Sequence, residues 1–220
     1  MDQVTVNRPV QTSFMEGMDR PVGPILSSVF TGSNADLMVA VAPLYLAGSV
    51  LDVTYGEGKW WERFTPAPFV GHDLKTDGVD FTNLPHDDRS FDAVCFDPPY
   101  VLSGGKSSAS LADGAFQHRY GIGIQNGVTG WTGLVGLVTA GLAEACRVSD
   151  RFVLVKCMEF VQDKFRDMPT LVTNHAASLG CALHDRIVHH TGTGPGGHNI
   201  FEVKRARRAH SYLLVFEVPR

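Results

Sequence analysis

No stretch of this chain is long and apolar enough to cross a bilayer. The longest apolar run, residues 37–51, falls short of a span and is interrupted by Pro43. The start, Met1-Asp2-Gln3-Val4, lacks the basic segment and apolar stretch of a secretory leader, so the sequence reads as soluble, unexported and cytoplasmic, with no membrane partner. Cysteine is scarce: Cys95, Cys146, Cys157 and Cys181 stand far apart with no C-x-x-C pair, which fits buried free thiols in a reducing compartment better than disulfides or zinc. An excess of positive charge is also missing. At a formal net charge of -4, attraction to a polyanion has to come from a local basic cluster such as Lys204-Arg205-Ala206-Arg207-Arg208, for which a solvated loop is the alternative. His184, His189, His190, His198 and His210 fit no metal-ligand spacing, so no catalytic metal is expected.

Phosphate loops are absent too. The glycine-rich segment 192–197 lacks a Lys-Ser/Thr pair and does not join a strand to a helix, and Gly105-Lys106-Ser107 has Tyr100 where a Walker A motif needs glycine.

What is present is an α/β pattern. A chain of 220 residues that is 44% hydrophobic has room for one substantial core. Residues 1–24 carry prolines and scattered charge without periodicity and read as an arm; residues 25–220 read as one domain with an inserted loop at 101–130. Ser33-Asn34-Ala35-Asp36 offers a helix start ahead of Leu37, Val41, Leu44 and Tyr45, which share one helical face. Strands are expected at 50–53, 69–72, 92–96, 152–156, 187–190 and 212–218, with helical stretches near Trp60 and at 131–146 and 169–179. The last two strands have no helix between them and should pair antiparallel. The expected fold is therefore a Rossmann-like α/β sheet, mostly parallel with an antiparallel C-terminal hairpin.

Chemistry-bearing residues fall at strand ends, where ligands collect in open α/β sheets. Asp52 ends the first strand and is followed by Gly56 and Gly58, whose missing side chains let backbone approach a ligand. Asp52 suits an ammonium group, and Asp73, at the end of the next strand, suits a ribose diol. Trp60 and Trp61 read as core rather than as a cover for a cofactor, and Lys156, ending an apolar strand near the expected pocket, is placed either to meet a phosphate or, the favoured reading, to reach solvent. The strongest signal is Asp97-Pro98-Pro99-Tyr100 after the apolar run 91–96. Two prolines fix φ and remove two donors, leaving a rigid acceptor face of the Asp97 carboxylate and nearby carbonyls beside an aromatic ring. Such a face suits an amine lying flat on a ring.

On these residues the chain resembles the amino-methyltransferases, enzymes that methylate adenine N6, cytosine N4 or, in RNA, guanine N2 using S-adenosyl-L-methionine. The resemblance spans roughly residues 34–218. It implies that Asp97 and the Pro98 carbonyl hold the target amine while Tyr100 stacks on the base. It also implies that Asp52, Gly56 and Gly58 hold the cofactor, with Val53-Thr54 standing where the family usually has Pro-Phe. Asp80 and Phe81, in the segment 80–85, match a family segment whose acidic residue approaches the cofactor adenine. The Asp-first tetrad favours adenine N6 in DNA, so nucleic acid is the implied partner. An RNA guanine-N2 methyltransferase and a catalytically silent nucleotide-binding module remain open. Loop 101–130, with Lys106, Phe116, His118, Arg119 and Tyr120, reads as a lid or target-contacting loop beside the alternative of a plain surface loop. Thirty residues read only a short site, so loose specificity or a protein partner for target recognition is expected.

Overall fold

The structure, a computed structural model, describes residues 26–99, 130–161, 164–191 and 208–220. The expected arm 1–24, loop residues 101–129, and segments 192–197 and 204–207 lie outside the described residues. In chain order the strands are β1 (Val29–Thr31), β2 (Val50–Asp52), β3 (Phe69–Gly71), β4 (Phe91–Phe96), β5 (Ser149–Cys157), β6 (Phe160–Val161), β7 (Phe165–Arg166), β8 (Ala182–His190) and β9 (Ser211–Glu217). The helices are α1 (Asn34–Tyr45), α2 (Gly130–Val148) and α3 (Met168–Ser178).

Seven strands form one sheet in the order β1-β8-β9-β5-β4-β2-β3. β3, β2, β4 and β5 run parallel, and β9 lies antiparallel between β5 and β8. The expected antiparallel pairing of the last two strands is present, running from Ala182 opposite Glu217 to His189 opposite Ser211. Because helices cover both faces, the central strands are apolar on both sides rather than alternating. On one face Ala93 and Cys95 of β4 pack with Leu154, Ile187 and Leu213 under Leu37, Met38 and Val41 of α1. On the other, Val94 and Phe96 pack with Val153, Val155 and Phe216 under Leu134, Val138 and Leu142 of α2 and Met168 and Val172 of α3. The small residue Gly141 lets α2 close on β4, since a Cβ there would lie 2.6 Å from Phe81 and 2.7 Å from Phe96.

The α1 start is a full capping box. The Ser33 hydroxyl accepts from the Asp36 amide at 3.1 Å, and the Asp36 carboxylate accepts from the Ser33 amide at 3.0 Å. This sets the first turn of α1, and with it Asn34, at the carboxyl edge of the sheet.

Three details differ from the sequence reading. The helical stretch near Trp60 is a single 3-10 turn, Lys59–Trp61, entered from Gly58 with no side-chain cap; Pro66 and Pro68 follow within a few residues and restrict its extension. An extra edge strand, β1, pairs parallel with β8. A two-residue hairpin, β6 with β7, follows β5. All four cysteines are buried free thiols, as expected, although Cys146 and Cys181 meet with their sulfurs 3.2 Å apart. Among the described residues no helix is long and apolar enough to cross a membrane.

Candidate active site

The carboxyl ends of β2, β3 and β4 meet at one sheet edge, and Asp52, Asp73 and Asp97 all line a cavity of about 600 Å³ there. Asn34, Thr54, Gly56, Glu57, Lys75 and Trp60 complete most of its wall.

Asp52 is the most constrained of the three. It is 3% exposed, and its carboxylate accepts from the Trp61 indole N–H at 2.7 Å and from the Thr54 amide at 2.8 Å. Burial, reinforced by the nearby charge of Asp97, pushes its pKa up to about 6, against the stabilising pull of the Trp61 and Thr54 donors. Thr54 links two motifs that are 43 residues apart. Its Oγ1 accepts the Asp97 amide at 2.8 Å and donates toward Asp52 Oδ1 at 3.3 Å. The position at which the sequence departs from the usual Pro-Phe pair thus carries a hydroxyl that fastens the end of β4 to the end of β2.

Asp73 accepts at Oδ1 from the Lys75 and Thr76 amides, 2.9 and 3.2 Å away, which fixes its carboxyl in a tight turn against the cavity. The two glycines have separate roles. Both take left-handed φ, 54° at Gly56 and 71° at Gly58. Gly56 faces the cavity, and a Cβ there would meet nothing nearer than the Thr54 carbonyl at 3.8 Å. Gly58 lies under the Tyr55 ring, where a Cβ would come within 2.6 Å of the phenol oxygen.

Asp80 is exposed and accepts from the Thr82 amide and hydroxyl, both at 2.8 Å. Phe81 is buried against Phe96, ring centroids 5.3 Å apart. Neither is among the residues lining the cavity. Pro98 and Pro99 are buried directly behind Asp97, and Tyr100 lies outside the described residues.

Sequence reasoning did not single out Asn34, Thr54, Trp61 or Lys156 for this edge. Lys156 does not reach solvent as expected: it is 5% exposed, and its Nζ donates to Asn34 Oδ1 at 2.6 Å. The tryptophans are core, as expected, but Trp60 also lines the cavity and Trp61 anchors Asp52. The one signal available was spacing. An indole nine residues after a strand-end carboxylate, across two glycines, is within reach of it once the chain turns back.

Among solved structures, a Bacillus halodurans protein provisionally named a methyltransferase aligns over 84% of this chain and 99% of its own, at 14% identity and a TM-score of 0.50. The chain has the class I methyltransferase fold. Within that fold, the magnesium protoporphyrin IX methyltransferase of Synechocystis, solved with bound S-adenosylhomocysteine, is 12% identical over 84% of this chain and 81% of its own, TM-score 0.49. A Thermus thermophilus protein provisionally named a DNA modification methylase, solved with S-adenosyl-L-methionine, is 13% identical over 78% of this chain, TM-score 0.43. The chain covers 56% of that protein, so it spans about half the length of this relative. No protein family and no curated protein matches the sequence.

Proposed function

We propose that this methyltransferase fold transfers a methyl group from S-adenosyl-L-methionine to an exocyclic amine of a nucleobase, with adenine N6 in DNA as the favoured target. The observation that carries the reading is the Thr54 hydroxyl between Asp52 and Asp97, which joins the cofactor-motif carboxylate and the Asp-Pro-Pro carboxylate at one cavity.

The residues present suit the cofactor. Four carboxylates, Asp52, Glu57, Asp73 and Asp97, line the cavity against two ammonium groups, Lys59 and Lys75, and Lys59 is paired with Glu62. This balance favours a cationic ligand and disfavours a phosphate-bearing one. The volume falls within the range of roughly 300–1,000 Å³ usual for small-ligand sites. Asp52 would receive the amino-acid ammonium and Asp73 the ribose hydroxyls, while Gly56 leaves backbone bare for close approach. Bound there, the cofactor would supply a methyl group on a sulfonium, an electrophile that needs no metal; transfer would break the S–CH3 bond to leave a neutral thioether, and the methylated nitrogen would give up one proton to water.

The chain's own residues hold and orient the target. An exocyclic nitrogen conjugated to its ring is a weak nucleophile, and accepting its N–H bonds turns the lone pair outward. Asp97 and the Pro98 carbonyl are the acceptors, and Tyr100 is the stacking surface. The Asp97 amide, tied to Thr54, and two buried prolines fix these acceptors before any base arrives, so orientation is built into the protein. The base has to leave its stack to reach this edge.

The test is nucleoside mass spectrometry after incubation with labelled S-adenosyl-L-methionine and unmodified DNA or RNA, with Asp97→Ala alongside. Labelled N6-methyladenine from DNA, lowered by about two orders of magnitude or more in the variant, supports the reading. N2-methylguanosine from RNA moves the target to guanine, and cofactor binding without transfer to either nucleic acid refutes the proposed reaction.

A further inference from the structure

Lys156 is buried at the end of β5, and nothing in the proposed chemistry yet uses it. Burying an ammonium is unfavourable unless it is paired and hydrogen-bonded, so a lysine retained here calls for a partner. Asn34 Oδ1, at 2.6 Å, takes one of its three N–H bonds. The register of the sheet supplies the rest of the setting. Phe96 of β4 lies opposite Val155 of β5, so the next residues along these two parallel strands are Asp97 and Lys156, side by side. Side chains alternate along a strand, which puts Asp97 and Lys156 on the α1 face with Cys95 and Leu154. Asn34, at the first turn of α1, lines the same cavity as Asp97.

The charged and titratable groups around this point come from β2, β4, β5 and β8. Asp52 comes from β2, Asp97 follows β4, Cys157 neighbours Lys156 on β5, and His189 comes from β8, its Nε2 2.9 Å from the Gly32 carbonyl. Burial lowers the pKa of Lys156, while the charge of Asp97 is the largest influence raising it.

We propose that Lys156, held by Asn34, is a positioning residue for Asp97: its ammonium attracts the neighbouring Asp97 carboxylate and fixes it at the cavity edge as the acceptor for the target amine. The inference rests on the proposed function for its catalytic consequence, and its electrostatic half is measurable without substrate. Removing an adjacent positive charge raises a carboxyl pKa, so Asp97 should titrate at higher pH once Lys156 is neutralised.

The experiment is a pH titration of carboxyl-¹³C aspartate in the full chain, with the Asp97 signal assigned from its loss in Asp97→Asn. Wild type is compared with Lys156→Met, Lys156→Arg and Asn34→Ala. The Asp97 midpoint should rise by about one pH unit in Lys156→Met, rise less in Asn34→Ala and stay near wild type in Lys156→Arg, where the charge is kept. Methyl transfer by Lys156→Met should show a lower kcat with its acid limb moved to higher pH, and a KM for the cofactor within about twofold of wild type. A purely structural lysine would change the melting temperature but leave the Asp97 midpoint in place, and that result overturns the proposal. Should Lys156→Met not fold, Lys156→Gln and Asn34→Ala carry the same readout. If wild type methylates neither DNA nor RNA, the proposed reaction fails, while the Asp97 midpoint still decides whether Lys156 governs that carboxylate.

Discussion

Replacing Thr54 by valine keeps the shape of the side chain and removes a single oxygen. In the structure that oxygen accepts the Asp97 amide at 2.8 Å and donates toward Asp52 at 3.3 Å, and Thr54 itself is partly buried. Valine leaves the Asp97 N–H without its acceptor at a site where the following prolines offer no alternative turn. An unsatisfied, largely buried amide costs about 1–3 kcal/mol, and partial solvent access brings the expectation to about 1–2 kcal/mol. For a chain of this size that corresponds to a melting temperature lower by about 2–8 °C. Functional loss should exceed the loss of stability, because the acceptors at the end of β4 are no longer fixed relative to Asp52. Scanning calorimetry on wild type, Thr54→Val and Thr54→Ser, followed by transfer assays at a temperature where all are folded, is the measurement. Serine retains the hydroxyl and should behave close to wild type. If Thr54→Val melts with wild type and transfers methyl groups as fast, the hydroxyl does not join the two motifs and the account of this edge is wrong.

Asp52 and Gly141 give two further tests. Burial lifts the Asp52 pKa from 3.8 to about 6, so the native state holds a proton over that interval that the unfolded chain has released. Its contribution to stability is therefore full below pH 3.8 and lost as pH rises through about 6. In urea titrations Asp52→Asn should gain on wild type by roughly 2–2.5 kcal/mol between pH 4 and pH 7, and a constant gap across that range would contradict the shift. Since the ionised form is the one suited to an ammonium, cofactor affinity measured by calorimetry should weaken about tenfold from pH 7 to pH 5; a flat profile would remove Asp52 from the cofactor site. Gly141→Ala raises helix propensity but drives a methyl group into Phe81 and Phe96. A net destabilisation of about 1–3 kcal/mol is expected in denaturant unfolding, and a stabilised variant would show that α2 is not packed as tightly against β4 as described.

Much of the fold was legible because the central strands are buried on both faces and carry continuous apolar stretches in the sequence, such as 93–96 and 152–155. The elements missed are those whose existence depends on a partner elsewhere. Val29–Thr31 is three residues long and half exposed, and it becomes a strand only because β8 offers an edge to it. The two-residue strands β6 and β7 are likewise defined by each other. At the site, Asp52, Asp73 and Asp97 were readable as carboxylates ending strands. Lys156 was misread because a lysine at a strand end ordinarily extends to water, and its hydrogen-bond partner is 122 residues away. Thr54 looked like a departure from a motif, and its hydrogen bond to Asp97 spans a separation that sequence pattern does not encode.

The position of β9 constrains how this protein can be made. β8 joins the rest of the sheet only through β9, and β1 joins only through β8. During vectorial synthesis β1 leaves the ribosome before β8 and β9, and it has no sheet to enter until residues 211–217 have emerged. The apolar surfaces of β5 and β8 remain open until that late segment inserts between them, so a nascent chain stalled before it would present two unpaired edges to chaperones and to other chains. The carboxyl edge carrying Asp52 and Asp97 is formed by β2 and β4, which can pair earlier, whereas Lys156 gains its β9 neighbour only in this last step.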